Sequence, residues 1–222
     1  ALAKKHGVTT VLDNTFGGLH NHGQFEIDYY VHSLTKYAGG HGDVMGGVVI
    51  ADEKRIKALH ALATSMGSTM DPGAAYLILR GLRTYHLRHE RHSSSALSVA
   101  EYLAANSLVE KVFYPGLEND VGHSLANKQM DGCGAVLAFN LNADKKKTWA
   151  FIDALELFAT TSSVGSTESL VAPVKLYFAS DLDEQELERA GIKDSSVRLS
   201  IGLEHPDDLI RDLKGAFTKV FG

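Results

Sequence analysis

A single cysteine, Cys133, stands in the 222 residues. That excludes an internal disulfide framework and any zinc site made of cysteines alone. Positive charge is also short, since 22 Lys and Arg against 27 Asp and Glu leave a formal charge of −5 at pH 7. No basic field is available to draw in a nucleic-acid backbone or an anionic membrane surface, so no nucleic-acid partner is predicted and a small-molecule ligand is favoured. No apolar run approaches a membrane span or the apolar core of a secretory signal, and the reading is a cytoplasmic protein with no membrane partner. Internal repeats and low-complexity linkers are absent, which predicts parts that pack tightly. What remains is ordinary for a globular chain of one or two domains, with 44% hydrophobic and 22% charged residues.

The opening ALAKKHG reads as the end of a helix, with Lys4, Lys5 and His6 in its last turn and Gly7 as the stop. Without an initiator methionine, it predicts that the chain is the C-terminal part of a longer protein. Three β-rich runs follow: VTTVLD (8–13), IDYYVHS (27–33) and GGVVIA (46–51). Their nearly continuous apolar character predicts strands covered on both faces, as in a mostly parallel α/β sheet. Asp52 opens a helix, and Asp71-Pro72 caps another that stays helix-compatible to about residue 106. After FYPGL (113–117) a smaller α+β pattern begins, with GAVLAFNL and VRLSIGL (197–203) as strands and KKKTWAFIDALELF as an amphipathic helix. The closing helix starts at Pro206-Asp207-Asp208, and Leu209, Ile210, Leu213, Phe217, Val220 and Phe221 recur at core-facing spacing.

The stretch VHSLTKYAGGHGD (31–43) carries the chemistry. Lys36 lies in a turn at the C-terminal end of a strand, where open α/β sheets place their ligands. Ser33 and Thr35 add hydroxyls beside a glycine-rich backbone, the kind of group that holds a phosphate. A nucleotide-binding α/β module is one reading, but no Gly-Lys-Ser/Thr ending and no dinucleotide fingerprint supports it. A pyridoxal phosphate (PLP) enzyme explains more, because it needs an amine for the aldehyde, donors for the phosphate and a carboxylate opposite the ring nitrogen. Asp13 ends the first strand at the same sheet edge as Lys36 if those strands run parallel. Taken singly, each residue has a plainer reading: Lys36 as a solvated loop lysine, Asp13 as a turn or helix cap, and Arg198 as a surface strand arginine.

Eleven histidines raise the question of a metal. His20 and His22 flank Asn21, and His86, His89 and His92 recur every three residues. Arg and Glu interleave the latter three as on a solvated face, so no metal site is predicted. Tyr85, Tyr114 and Trp149 are read as packing residues.

DNTF (13–16), HSLTKYAGGHGDVMGGVV (32–49), DPGAAYLILRGLRT (71–84), LRHERH (87–92), VEKVFYPGL (109–117), SSVGSTESL (162–170) and VRLSIGLEHPDDLIRDL (197–213) run in order along the chain. Together they resemble the Cys/Met-metabolism family of PLP enzymes, the trans-sulfuration enzymes. The resemblance implies a fold-type-I (aminotransferase-like) α/β architecture. Residues 1–90 would be the C-terminal part of the large PLP-binding domain, and 91–222 the small α+β C-terminal domain. It implies Lys36 as the Schiff-base lysine, Asp13 as partner of the pyridine nitrogen, and Ser33 and Thr35 as phosphate ligands. Arg198 would grip the substrate α-carboxylate and Ser163 would lie beside it.

The resemblance further implies a carbon–sulfur lyase acting on cystathionine or a related sulfur amino acid by β/γ-elimination, built as a homotetramer of two dimers. A γ-replacement synthase and a non-catalytic fragment are the alternatives. The family's ring-stacking tyrosine, its Gly-Met phosphate loop and the tyrosine and arginine lent by a neighbouring subunit would all precede residue 1. Leu34 and Ala38 depart from the family pattern around the lysine, as does GGLHNHGQFEIDYY. Ser163-Val164-Gly165-Ser166 replaces Ser-Leu-Gly-Gly, and Ser162 stands where cystathionine γ-lyases carry glutamate.

Overall fold

The computed structural model describes residues 2–178 and 181–222. A short helix, α1 (Leu2–His6), ends at Gly7, whose φ of +60° suits glycine as a stop. Three strands follow, β1 (Val11–Asp13), β2 (Tyr29–Ser33) and β3 (Gly47–Ile50), in the order β1-β2-β3. β1 and β2 are parallel, in register at Asp13 and Val31. β3 runs antiparallel to β2, which departs from the mostly parallel expectation. The reason is local: the Leu34 and Thr35 N–H groups both donate to Gly46 O, so the connecting loop closes on itself and returns the chain as a hairpin. Val11, Val49 and Ile50 are exposed, so the described residues do not cover these strands on both faces as their apolar runs predict.

The helices begin where sequence capping places them. Asp52 accepts from Arg55 N–H ahead of α2 (Glu53–Met66), and Asp71 accepts from Ala74 N–H ahead of α3 (Pro72–Leu82). Each such cap is worth about 1 kcal/mol. The predicted single helix from Pro72 to about 106 is in fact two, because the chain breaks at Arg83–Thr84 before α4 (Tyr85–Ala104). Gly81 abuts the carbonyls of Ala38 and Gly39 there, and the break lets α4 leave in a new direction.

The second layer is a five-stranded sheet in the order β4-β5-β8-β7-β6, formed by β4 (Val109–Phe113), β5 (Val136–Leu141), β6 (Ala159–Thr160), β7 (Leu170–Pro173) and β8 (Ser196–Ser200). All its pairs are antiparallel except β6 with β7. Helices α5 (His123–Gln129), α6 (Lys145–Ala154), α7 (Glu184–Arg189) and α8 (Pro206–Phe221) complete the chain. Leu137, Phe139, Val197 and Leu199 from the sheet meet Val99 and Leu103 of α4, Phe151 of α6 and Leu209, Leu213 and Phe217 of α8 in one buried core. The closing helix buries the expected stripe at Leu209, Leu213 and Phe217, while Ile210, Val220 and Phe221 pack at its margin.

Helix α4 touches both the turn that carries Lys36 and the five-stranded sheet, so it joins the two layers. That role overturns the expectation of a solvated histidine face. His89 and His92 are buried, as is Arg88, with Tyr37 and His20 packed against this side of the helix beside Tyr85 of its own first turn. Tyr85 and Tyr114 pack in the interior as expected. No group among the described residues assembles three or more His, Cys, Asp or Glu around a metal position. No helix among them is long and apolar enough to cross a membrane.

Candidate active site

Lys36 sits in a tight π-type turn, Leu34–Ala38, that begins directly after β2. Its φ of −89° and ψ of −129° leave helical geometry, so the turn presents this one residue out of line with its neighbours. Gly39 N–H closes onto Leu34 O at 2.8 Å and Gly40 N–H onto Lys36 O at 2.8 Å. Gly40 has a φ of +73°, and a Cβ there would strike the Arg88 guanidinium. That guanidinium holds the turn from behind, donating to Tyr37 O at 2.8 Å, Gly81 O at 2.8 Å and Ala38 O at 3.4 Å. Burial lowers the pKa of Arg88, but a guanidinium stays charged through the neutral range.

On the other side of the turn, Lys36 Nζ donates to Ser163 Oγ at 2.9 Å. Ser163 lies in the loop between β6 and β7, which is docked on the turn: a Cβ on Gly165 would lie 2.8 Å from the Tyr37 ring. Arg198 reaches the same loop, donating from Nη2 to Ser163 O at 2.9 Å. Alternation on β8 explains its direction, because Val197 and Leu199 fill the core and Arg198 between them must face the opposite side. Its register partners are Ala138 on β5 and Ala172 on β7, two small side chains that leave room for the guanidinium. Burial lowers the Arg198 pKa, and among the described residues no carboxylate pairs with it. A half-buried fork with spare N–H donors has the hydrogen-bonding chemistry that suits a carboxylate.

Asp13 ends β1 beside the end of β2, as the parallel pairing requires. Hydrogen bonds from the Thr15 hydroxyl and backbone N–H, the latter at 3.0 Å, hold its carboxyl below the usual range, with a smaller contribution from His32. The Thr15 hydroxyl also accepts from Ser33 N–H at 2.8 Å, which ties the two strand ends together. Thr35 Oγ1 accepts from Gly46 N–H at 3.1 Å and so helps close the loop base, whereas the Ser33 hydroxyl makes no hydrogen bond among the described residues. Of the residues singled out in the sequence, Lys36, Ser163 and Arg198 converge through direct contacts. Asp13 and Ser33 are linked through Thr15, and Thr35 stands next to the lysine. Arg88, Thr15 and Tyr177, whose ring lies against the Arg198 guanidinium just after β7, are additions from the structure. The isolated type of Arg88 and Tyr177 carries no signal in one sequence; Thr15 could be found from the DNT turn alone.

PLP brings an aldehyde, a phosphate and a protonatable ring nitrogen. The chain offers a half-buried amine that its turn presents out of line, an unbonded hydroxyl at a strand end and an ionised carboxylate at the neighbouring strand end. The unpaired Arg198 adds a position for an amino-acid carboxylate. The residues fit the cofactor.

Comparison with known proteins agrees with that fit. A family model described as Cys/Met metabolism PLP-dependent enzyme matches residues 1–218. The chain is 36% identical over 222 residues to cystathionine β-lyase of Lactococcus lactis subsp. cremoris (strain MG1363), covering 99% of this chain and 58% of the relative. L-methionine γ-lyase of Fusobacterium nucleatum subsp. polymorphum is 37% identical over 214 residues, covering 95% of this chain and 54% of the relative. The crystal structure of cystathionine γ-synthase from Xanthomonas oryzae pv. oryzae in complex with cystathionine superposes with a TM-score of 0.93 at 38% identity, over 99% of this chain and 57% of that one. The chain thus spans a little over half the length of these relatives, with the fold-type-I architecture they share. On the family match and these likenesses, the chain belongs to the Cys/Met-metabolism family of PLP-dependent enzymes.

Proposed function

We propose that this chain supplies the lysine-bearing part of a PLP-dependent carbon–sulfur lyase that acts on cystathionine or a related sulfur amino acid by β/γ-elimination. The observation that carries the reading is the meeting of Lys36, Ser163 and the unpaired Arg198 at one point. PLP, when bound, supplies an electron sink that makes the α-proton of a joined amino acid removable. Lys36 Nζ is the amine that would hold the aldehyde, and it is the atom placed to carry the α-proton. Ser163 Oγ orients that amine at 2.9 Å. Arg198 fixes the substrate by its α-carboxylate, so that the α-carbon stands over the same lysine. Asp13, kept ionised by Thr15, gives a negative charge for the ring nitrogen, and Ser33 and Thr35 would hold the phosphate.

The division at about residue 90 then separates a part that holds the cofactor from a part that holds the substrate carboxylate, with α4 continuous between them. Family resemblance supports a cytoplasmic homotetramer, to be tested by light scattering of the full-length protein. A γ-replacement synthase is the second reading, favoured by the likeness to the Xanthomonas oryzae cystathionine γ-synthase.

The test uses the full-length protein and its Lys36→Ala variant. A visible absorbance band on adding PLP, lost in the variant, is expected; a band that survives in Lys36→Ala overturns the lysine assignment. Release of a thiol and a keto acid from cystathionine supports the lyase. Cystathionine formation from an O-acylhomoserine and cysteine, without that release, supports the synthase.

A further inference from the structure

Tyr177 closes the short 3-10 turn Val174–Tyr177 that follows β7, and its ring lies over Arg198 with the guanidinium carbon 4.2 Å from the ring centroid. β7 places it there: Ala172 stands opposite Arg198 in the sheet, and the chain leaves β7 at Pro173 to fold back over that arginine. A cation–π contact uses none of the guanidinium N–H groups, and one of them is donated to Ser163 O.

The phenol end is the unexplained part. Tyr177 Oη is fully buried and has no hydrogen-bond partner among the described residues. Leaving such a group unpaired forfeits its hydration without a replacement, so a buried hydroxyl of this kind requires an explanation. Burial also raises the phenol pKa, against a smaller opposing effect of Arg198, so the group keeps its proton and is a donor at neutral pH. A donor and an unpaired cation side by side are complementary to one ligand chemistry, a carboxylate.

Resting on the reading of Arg198 above, we infer that Tyr177 is a second substrate-binding residue, whose hydroxyl donates to the α-carboxylate of the amino acid held by Arg198. Its ring fixes the plane of the guanidinium, and its hydroxyl sets which carboxylate orientation is accepted. The hydrogen bond missing in the free protein is completed by the substrate.

The experiment uses the full-length protein loaded with PLP, with L-alanine and L-alaninamide as probes that carry no side-chain polar group. Binding is read by titration of the visible absorbance, not by turnover. Tyr177→Phe keeps the ring and removes the hydroxyl. It is expected to weaken L-alanine by about ten- to a hundredfold, as for a lost hydrogen bond to a charged group, and to leave L-alaninamide unchanged. Unchanged L-alanine binding, or an equal loss for both probes, overturns the inference. Tyr177→Leu, which also removes the stacking, is expected to weaken L-alanine further.

Thermal unfolding without amino acid gives an independent reading. Tyr177→Phe is expected to unfold no lower than the parent, because it deletes a hydroxyl that has no partner. A lower unfolding temperature would show that the hydroxyl is already bonded in the free protein, and overturns the inference. If the PLP band depends on Lys36 while Tyr177→Phe binds L-alanine normally, only this inference falls. If the band does not depend on Lys36, both readings fall.

Discussion

Lys36 Nζ and Ser163 Oγ stand 2.9 Å apart although 127 residues separate them in the chain. This one hydrogen bond joins the turn after β2 to the loop before β7, and so links the three-stranded and five-stranded sheets at the candidate site. The amine is held by a hydroxyl and not by a carboxylate. It is therefore oriented without being locked in an ion pair, which suits the role proposed for it.

Ser163→Ala removes that orientation and little else, since Ser163 O keeps its bond from Arg198. The variant of the full-length protein is expected to bind PLP and to lose about ten- to a hundredfold in kcat/KM, the range for a hydrogen bond to a charged group. Steady-state kinetics beside a PLP titration checks it. Loss of PLP binding would instead place Ser163 in cofactor attachment.

Arg88 acts at the back of the same turn. Replacing it with methionine keeps much of the apolar stem but removes the guanidinium donor from the buried carbonyls of Tyr37 and Ala38, while Gly81 O keeps its bond from Thr84 N–H. Relief of the buried charge offsets part of this. Arg88→Met is expected to lower unfolding stability by about 2–4 kcal/mol, at the upper end for a broken buried network. Urea unfolding, with the midpoint shifted at constant slope, is the measurement.

Much of this was legible in the sequence, for identifiable reasons. Asp52 and Asp71 cap their helices through contacts three residues away, which any local reading captures. The stripe of Leu209, Leu213 and Phe217 follows from period alone. Lys36 and Arg198 were marked by motif, yet their meeting depends on long-range pairing. The exposed reading of His89 and His92 failed because spacing along α4 gives their faces, whereas burial is set by Tyr37 and, at His89, His20 arriving from elsewhere. The antiparallel β3 was hidden for a related reason. Its direction is fixed by Gly46 O accepting two N–H groups, a backbone event with no side-chain signature.

The buried histidines make stability depend on pH. His92 Nδ1 is 2.7 Å from Ile201 O, which fixes the tautomer with hydrogen on Nδ1, and its Nε2 is buried without a partner. Desolvation first, then the nearby Arg88 charge, lowers its pKa from 6.5 to about 4, despite the opposing Ile201 bond. The unfolded chain therefore takes up a proton below about pH 6.5 that the folded state refuses until about pH 4. Stability contributed by neutral His92 is complete above pH 6.5 and is lost as pH falls through that window, by ~3 kcal/mol at most. His89, lowered to about 4 mainly by desolvation, acts in the same direction. His92→Gln, which keeps an N–H donor for Ile201 O and does not titrate, is expected to flatten the fall between pH 6.5 and 4. Urea midpoints across that range check it, and an unchanged slope sinks the assignment.

Gly81 tests whether the lysine turn must be seated on α3. A Cβ at Gly81 would stand 2.7 Å from Ala38 O and closer still to Gly39 O, and these are backbone atoms that cannot swing aside. Gly81→Ala must therefore push α3 away from the turn or distort the turn itself. Overpacking of this kind costs about 1–3 kcal/mol, against which the better helix propensity of alanine returns less than 1. If α3 yields, the full-length variant loses stability and keeps its PLP affinity. If the turn yields, Lys36 leaves its place beside Ser163, and PLP affinity falls together with stability. The three carbonyls that Arg88 grips belong to the turn and to Gly81 itself, which makes turn and helix end one unit. The second outcome is therefore expected, and a PLP titration beside urea unfolding separates the two.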